Sequence, residues 1–135
     1  MGSGMKAEQR REKGGTPAGM RDAFKKTTTE MLVLFMLRQK PMYVYEMAQE
    51  VQRLTAGVLT YNTLYLAVYR LQAAGCIEEA EKRIEDGRAR IYLGITAAGR
   101  AYYDELYAEY RTLTAALDGL LARDGALYGE ESQDV

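Results

Sequence analysis

The sequence predicts a mainly α chain with one small β-hairpin, in the order helix, helix, helix, hairpin, helix. Three observations predict it. Apolar residues recur at helical spacing on both sides of a break at Lys40-Pro41. An Asp86-Gly87 pair stands between two runs of strand character. From Gly99 to Leu120, large or apolar residues follow in strict steps of four and three, the mark of a long last helix. That order describes a winged helix-turn-helix with a C-terminal extension.

Each element has its own local reason. Thr27-Thr-Thr-Glu30 has capping-box spacing and precedes an apolar run, so the first helix is expected to start there. Met31 to Leu37 is apolar on all sides, which predicts burial from more than one direction, with Leu34 meeting a partner subunit. The residue before a proline avoids the α region, so Lys40-Pro41 ends that helix. A second helix is expected from about Tyr43 to Leu54, with Tyr45, Ala48, Val51 and Leu54 on one face. The third runs from a Thr60 N-cap to a Gly75 stop, with Leu64, Ala67 or Val68, and Leu71 inward. Ile77 to Lys82 forms one strand, and Ile91, Leu93 and Ile95 alternate inward on the other. Thr96 caps the last helix, which runs to about Ala122.

Residues 1–24 read as a disordered basic arm, of which 1–4 are a tag remnant and Met5 the natural start. Residues 25–95 form the winged helix, 96–123 a dimerisation helix, and 124–135 a disordered acidic tail.

Composition narrows the chemistry. The chain has 135 residues and no histidine, which removes Ser-His-Asp triads, Cys-His nucleophiles and His-ligated metals. No carboxylate pair stands in a recognisable catalytic setting, so no catalytic residue, metal ligand or cofactor is assigned. No run approaches the roughly 20 apolar residues a membrane span needs. The single cysteine, Cys76, and the lack of a signal-like N-terminus suit a cytoplasmic protein. Charge is segregated: residues 1–26 carry seven Lys/Arg against three acids, and residues 96–135 three against eight.

The third helix and the hairpin carry the functional signal. Thr60, Tyr61, Asn62 and Thr63 at the helix start offer hydroxyls for phosphates and an amide for an adenine edge, and Tyr65 continues that outward face. Arg83, Arg88 and Arg90, with Lys82, crowd the hairpin and are suited to lie along a DNA backbone. In the last helix, Gly99, Tyr103, Leu106, Tyr110, Leu113, Leu117 and Leu120 form a coiled-coil seam. Such a seam calls for its own copy and sets two reading helices about one duplex turn apart. Tyrosines on it leave an aromatic-lined gap for a flat ligand, with Phe35, Tyr103, Tyr107 and Tyr110 as its residues.

Three blocks of this sequence resemble the PadR family of bacterial transcriptional regulators. They are Met42-Tyr-Val-Tyr-Glu-Met47, then Thr63-Leu-Tyr65 with Arg70-Leu71 and Gly75-Cys-Ile77, then Gly87-Arg88 with Tyr92, Thr96 and Gly99. The resemblance implies a homodimeric, operator-binding repressor that a small aromatic effector releases. It also implies Tyr43 and Tyr45 near the DNA backbone, Thr63 and Tyr65 in the groove, and Arg88 on the wing. Ile91-Tyr92-Leu93 replaces the family's Lys-Tyr-Tyr, which removes a wing cation, and Tyr110 stands where a tryptophan is common. The alternative is a winged-helix adaptor that binds proteins instead of operators.

Overall fold

Three successive threonines do not start the first helix; they lie inside it. The computed structural model describes residues 15–62 and 64–129. In it α1 spans Pro17–Gln39, with Thr16 Oγ1 accepting from Gly19 N at 3.0 Å and proline in the first turn. Thr28 Oγ1 donates back to the Phe24 carbonyl at 2.7 Å, and Thr29 likewise to Lys25. Threonine hydroxyls that bond backward need no free N–H, so a capping-box spacing sits comfortably mid-helix. Residues 17–24, expected as disordered arm, are therefore helical; Arg10, Arg11 and Lys13 lie outside the described residues.

Helices α2 (Val44–Leu54) and α3 (Tyr65–Ala73) pack their inner faces on α1. The core joins Val33, Leu34, Met36 and Leu37 of α1 to Met47, Val51, Leu64, Ala67, Val68 and Leu71. Leu34 is fully buried there by its own chain, so it is no dimer contact. On α2 the inward residues are Met47 and Val51 with Val44 and Ala48 beside them. Tyr45 and Leu54, expected on that stripe, are more than 60% exposed.

Helix α3 begins at Tyr65 rather than Thr60, with Leu64 at its N-cap and no side-chain cap. Thr60, Tyr61 and Asn62 thus belong to the approach, and Thr63 lies outside the described residues. At the other end Gly75 takes φ +75°, and Cys76 N donates to Leu71 O at 2.8 Å, which closes the helix as its glycine suggests.

Strands β1 (Ile77–Glu85) and β2 (Arg88–Ile95) pair antiparallel around Asp86 and Gly87, both at positive φ. Two positive-φ residues make the primed turn that matches strand twist. The strands run closer to the tip than expected and project past the core, so Ile91 is 46% exposed although Leu93 on the same face is buried. Leu93 also exchanges backbone hydrogen bonds with Met42, at 2.9 and 3.2 Å, which anchors the hairpin to the α1–α2 link.

Helix α4 (Ala97–Leu121) follows at once, capped by Thr96, whose Oγ1 accepts from Gly99 N at 3.0 Å and donates to Gly75 O at 2.7 Å. No described helix is long and apolar enough to cross a membrane.

Gly99 is pressed against the backbone: a Cβ there would sit 2.1 Å from the Cys76 carbonyl oxygen. Gly99→Ala is expected to cost about 1–3 kcal/mol through forced backbone movement. Denaturant unfolding checks it, and an unchanged midpoint would mean the contact is not close.

Candidate nucleic-acid interface

The outer face of α3 is aromatic rather than cationic. Tyr65, Leu66 and Tyr69 are each more than half exposed, with the Tyr65 and Tyr69 rings 6.2 Å apart. Arg70 and Gln72 share the exposed side of the helix. Between this face, the start of α2 and β2 lies a cleft of about 330 Å³, lined by Tyr43, Tyr45, Tyr65, Tyr69, Arg90 and Ile91 among others. Tyr43, Tyr45, Tyr65 and Arg90, picked out separately from sequence, therefore share one surface. A neighbouring cleft of about 220 Å³ brings Asn62 to Tyr45, Gln49 and Gln52. The two glutamines escaped the sequence reading. Their signal was two amides one turn apart on the exposed side of α2, able to donate to phosphates or base edges.

Tyr61 leaves the surface. Its ring packs against the core cluster, and its hydroxyl is buried beside the Thr28 and Thr29 hydroxyls with no well-formed hydrogen bond among the described residues. Burial pushes that phenol above its usual range. Lys25 Nζ lies 5.1 Å from the ring centroid. Thr60 and Asn62 stay exposed on either side.

The wing's arginines are held by the wing itself. Arg83 makes a two-pronged contact with Glu81, Nε to Oε1 at 2.8 Å and Nη2 to Oε2 at 2.9 Å. Its guanidinium stacks 4.2 Å from the Tyr92 ring centroid. Arg90 Nη1 donates to Glu85 Oε2 at 2.9 Å and lies over the Tyr43 ring at 4.7 Å. Tyr92 Oη donates to the other oxygen of Glu85 at 2.9 Å and meets Tyr43 edge-on at 5.3 Å. The Arg83 guanidinium holds the Glu81 carboxyl below its usual range. Burial and the Glu85 carboxylate push the Tyr92 phenol upward, so it remains a donor at neutral pH. Arg88 is exposed and has no ion pair among the described residues. Tyr92 and Glu85 are the residues sequence reasoning missed here. Only the strand register, with Glu81 opposite Tyr92 and Arg83 opposite Arg90, makes them visible.

The seam of α4 divides. Tyr103 is buried in its own subunit, stacked on Tyr107 at 5.7 Å, 6.2 Å from Phe35, and under the Arg38 guanidinium at 4.5 Å. Leu106 packs against the same core, and Tyr110 meets Phe24 edge-on at 6.4 Å. Gly99 and Tyr103 therefore drop out of the expected intersubunit seam. Beyond them Leu113, Leu117 and Leu120 are 60%, 56% and 52% exposed. Phe35, Tyr103, Tyr107 and Tyr110 line one apolar hollow of about 260 Å³ with Met31 and Leu32.

Comparison with known proteins fits this geometry. A sequence profile described as Transcriptional regulator PadR-like family matches residues 33–105, more than half of the chain. An uncharacterized protein of Lysinibacillus sphaericus is 31% identical over 91 residues, covering 66% of this chain and 84% of its own. A PadR family transcriptional regulator from Eggerthella lenta superposes with a TM-score of 0.65 at 27% identity, over 77% of this chain and 90% of the other. A transcriptional regulator from Clostridium thermocellum superposes with a TM-score of 0.66 at 23% identity, over 72% and 96%.

Because the Tyr61 hydroxyl is buried with no well-formed hydrogen bond among the described residues, Tyr61→Phe is expected to leave the melting temperature unchanged or raise it slightly. A buried hydroxyl that made a good hydrogen bond would instead cost about 1 kcal/mol on removal. A clear fall in melting temperature would overturn the placement.

Proposed function

This chain belongs to the PadR-like family of transcriptional regulators, and from that premise we propose that it acts as a homodimeric, operator-binding repressor. The observation that carries the DNA side is the shared surface of α3, the α2 start and the wing. Tyr65 and Tyr69 stand exposed there around the Tyr43–Arg90 pair, with Asn62 in the neighbouring cleft and Arg88 exposed at the end of the wing. In this reading α3 enters the major groove, and its N-terminal approach meets base edges through Asn62. Tyr43, Tyr45 and Thr60 lie along phosphates, and the wing meets the flanking backbone. The balance of eight Lys/Arg and eight Asp/Glu over residues 27–95 does not oppose this, since local cations rather than net charge make the footprint.

The dimer rests on the far half of α4. Leu113, Leu117 and Leu120 keep the four-three spacing and are open to solvent. With Phe24, Met31, Leu106 and Tyr110, the first two of them, Leu113 and Leu117, bound an apolar groove of about 340 Å³. Burying such a stripe against its copy removes apolar area from water at about 25 cal/mol per Å². The hollow lined by Phe35, Tyr103, Tyr107 and Tyr110 suits a small aromatic molecule, whose binding would shift the α4 pairing and release DNA. The family supports a regulator rather than an enzyme. One observation favours the second reading, a protein-binding adaptor: the wing neutralises most of its own arginine charge.

Two measurements separate these. For DNA binding, Arg88→Ala is expected to weaken all duplexes alike and flatten the salt slope by about 0.9, one phosphate's share. Asn62→Ala is expected to relax preference at one base pair by about 1–3 kcal/mol. If neither change alters binding, the docking geometry is wrong, and salt-insensitive or absent duplex binding favours the adaptor. For the dimer, Leu113→Glu places a charge in the exposed stripe and is expected to shift sedimentation toward monomer. An unchanged profile would place the interface elsewhere.

A further inference from the structure

The wing assigned to the DNA backbone is itself acidic. Residues 77–95 carry five Asp/Glu and four Lys/Arg. Two of the four cations are already engaged, and a single carboxylate stands between them. Glu85 accepts from Arg90 Nη1 at 2.9 Å through one oxygen and from Tyr92 Oη at 2.9 Å through the other, which lies 3.9 Å from Arg83 Nη1. Glu81 occupies the opposite side of Arg83 with both oxygens. Planar oxygens forked onto a guanidinium take the place a phosphate would take. Arg83 and Arg90 also rest on the faces of Tyr92 and Tyr43, so their planes are held in position before any DNA arrives.

These side chains are a quarter to a half exposed, Arg90 at 26% and Glu81 at 49%. Ion pairs at that exposure are weak enough for a phosphate to replace the carboxylate. Replacement is not independent at the two arginines, because Glu85 faces both, hydrogen-bonded to Arg90 and 3.9 Å from Arg83. A duplex that lies off register can offer an oxygen to one arginine while Glu85 still holds the other. Only a duplex seated by α3 presents phosphates to both.

We infer that Glu81 and Glu85 are specificity-determining residues. In the free protein they stand in for phosphate on Arg83 and Arg90, and the wing's cations are released only on a correctly seated duplex. The assignment rests on the DNA-binding reading of the α3–wing surface. It makes the acidic character of the wing a filter against non-specific DNA rather than a weakness in the footprint.

The test uses the full chain and two probes, a random-sequence duplex and an operator recovered by binding-site selection. Each is titrated over a salt series with wild type, Glu85→Gln and Arg90→Ala, alongside melting curves. Glutamine keeps an acceptor for Tyr92 but removes the charge. Glu85→Gln is expected to tighten the random duplex about threefold to tenfold and steepen its salt slope by about one phosphate's share. The operator gains less, so the ratio between the two falls. Arg90→Ala is expected to weaken the operator and flatten its slope more than it does for the random duplex.

A folded Glu85→Gln with the wild-type random-duplex slope overturns the assignment. So does an Arg90→Ala that weakens both duplexes equally, and this comparison decides alone if Glu85→Gln does not fold. Wild-type protein that binds neither duplex refutes the DNA-binding reading beneath it, a result visible before any variant is compared.

Discussion

Everything that faces outward in this protein is set by one close approach, that of Gly99 to the Cys76 carbonyl. Three elements end or begin within reach of it. Cys76 N closes α3 on Leu71 O, Thr96 N donates to Cys76 O at 3.0 Å, and Thr96 Oγ1 joins Gly75 O to Gly99 N. Helix α3, the wing and α4 therefore leave from one hydrogen-bonded junction. Side-chain packing could let such elements slide past each other. A backbone knot with no room for a Cβ cannot, and the angle between α3 and the wing is inherited from it.

From that junction the surface divides by chemistry. The α3 face is broad, aromatic and short of cations, so in the proposed DNA-binding reading it offers shape and hydrogen bonding rather than charge. The wing holds four cations but pairs two of them, Arg83 and Arg90, internally. Charge and contact are thus on different elements, joined by Tyr43 against Tyr92 and Arg90. Helix α4 divides in the same manner. Its first turns complete the core through Tyr103 and Leu106, and its last turns leave Leu113, Leu117 and Leu120 uncovered.

Much of this was legible in the sequence, and the failures share a cause. The order of elements, the Gly75 stop, the Asp86-Gly87 turn and the Thr96 cap each follow from one residue's backbone preference, so local reasoning finds them. Thr27 to Thr29 misled because a threonine that caps and one that bonds backward have the same spacing. The seam misled because a four-three period states that a face is apolar without stating what covers it. Gly99 and Tyr103 are covered by their own chain, as is Leu34. At the interface, Tyr43, Tyr45 and Tyr65 were visible as types and positions. The inward turn of Tyr61 and the Glu85–Tyr92 lattice were not, because both depend on contacts between elements far apart in the chain or paired across a turn.

The central claim is that two copies of the α3–wing surface read one operator. Hydroxyl-radical footprinting on a selected operator tests it most directly. Two protected segments related by two-fold symmetry and centred about 10 base pairs, one duplex turn, apart are expected. A single protected segment with no symmetry mate would contradict it.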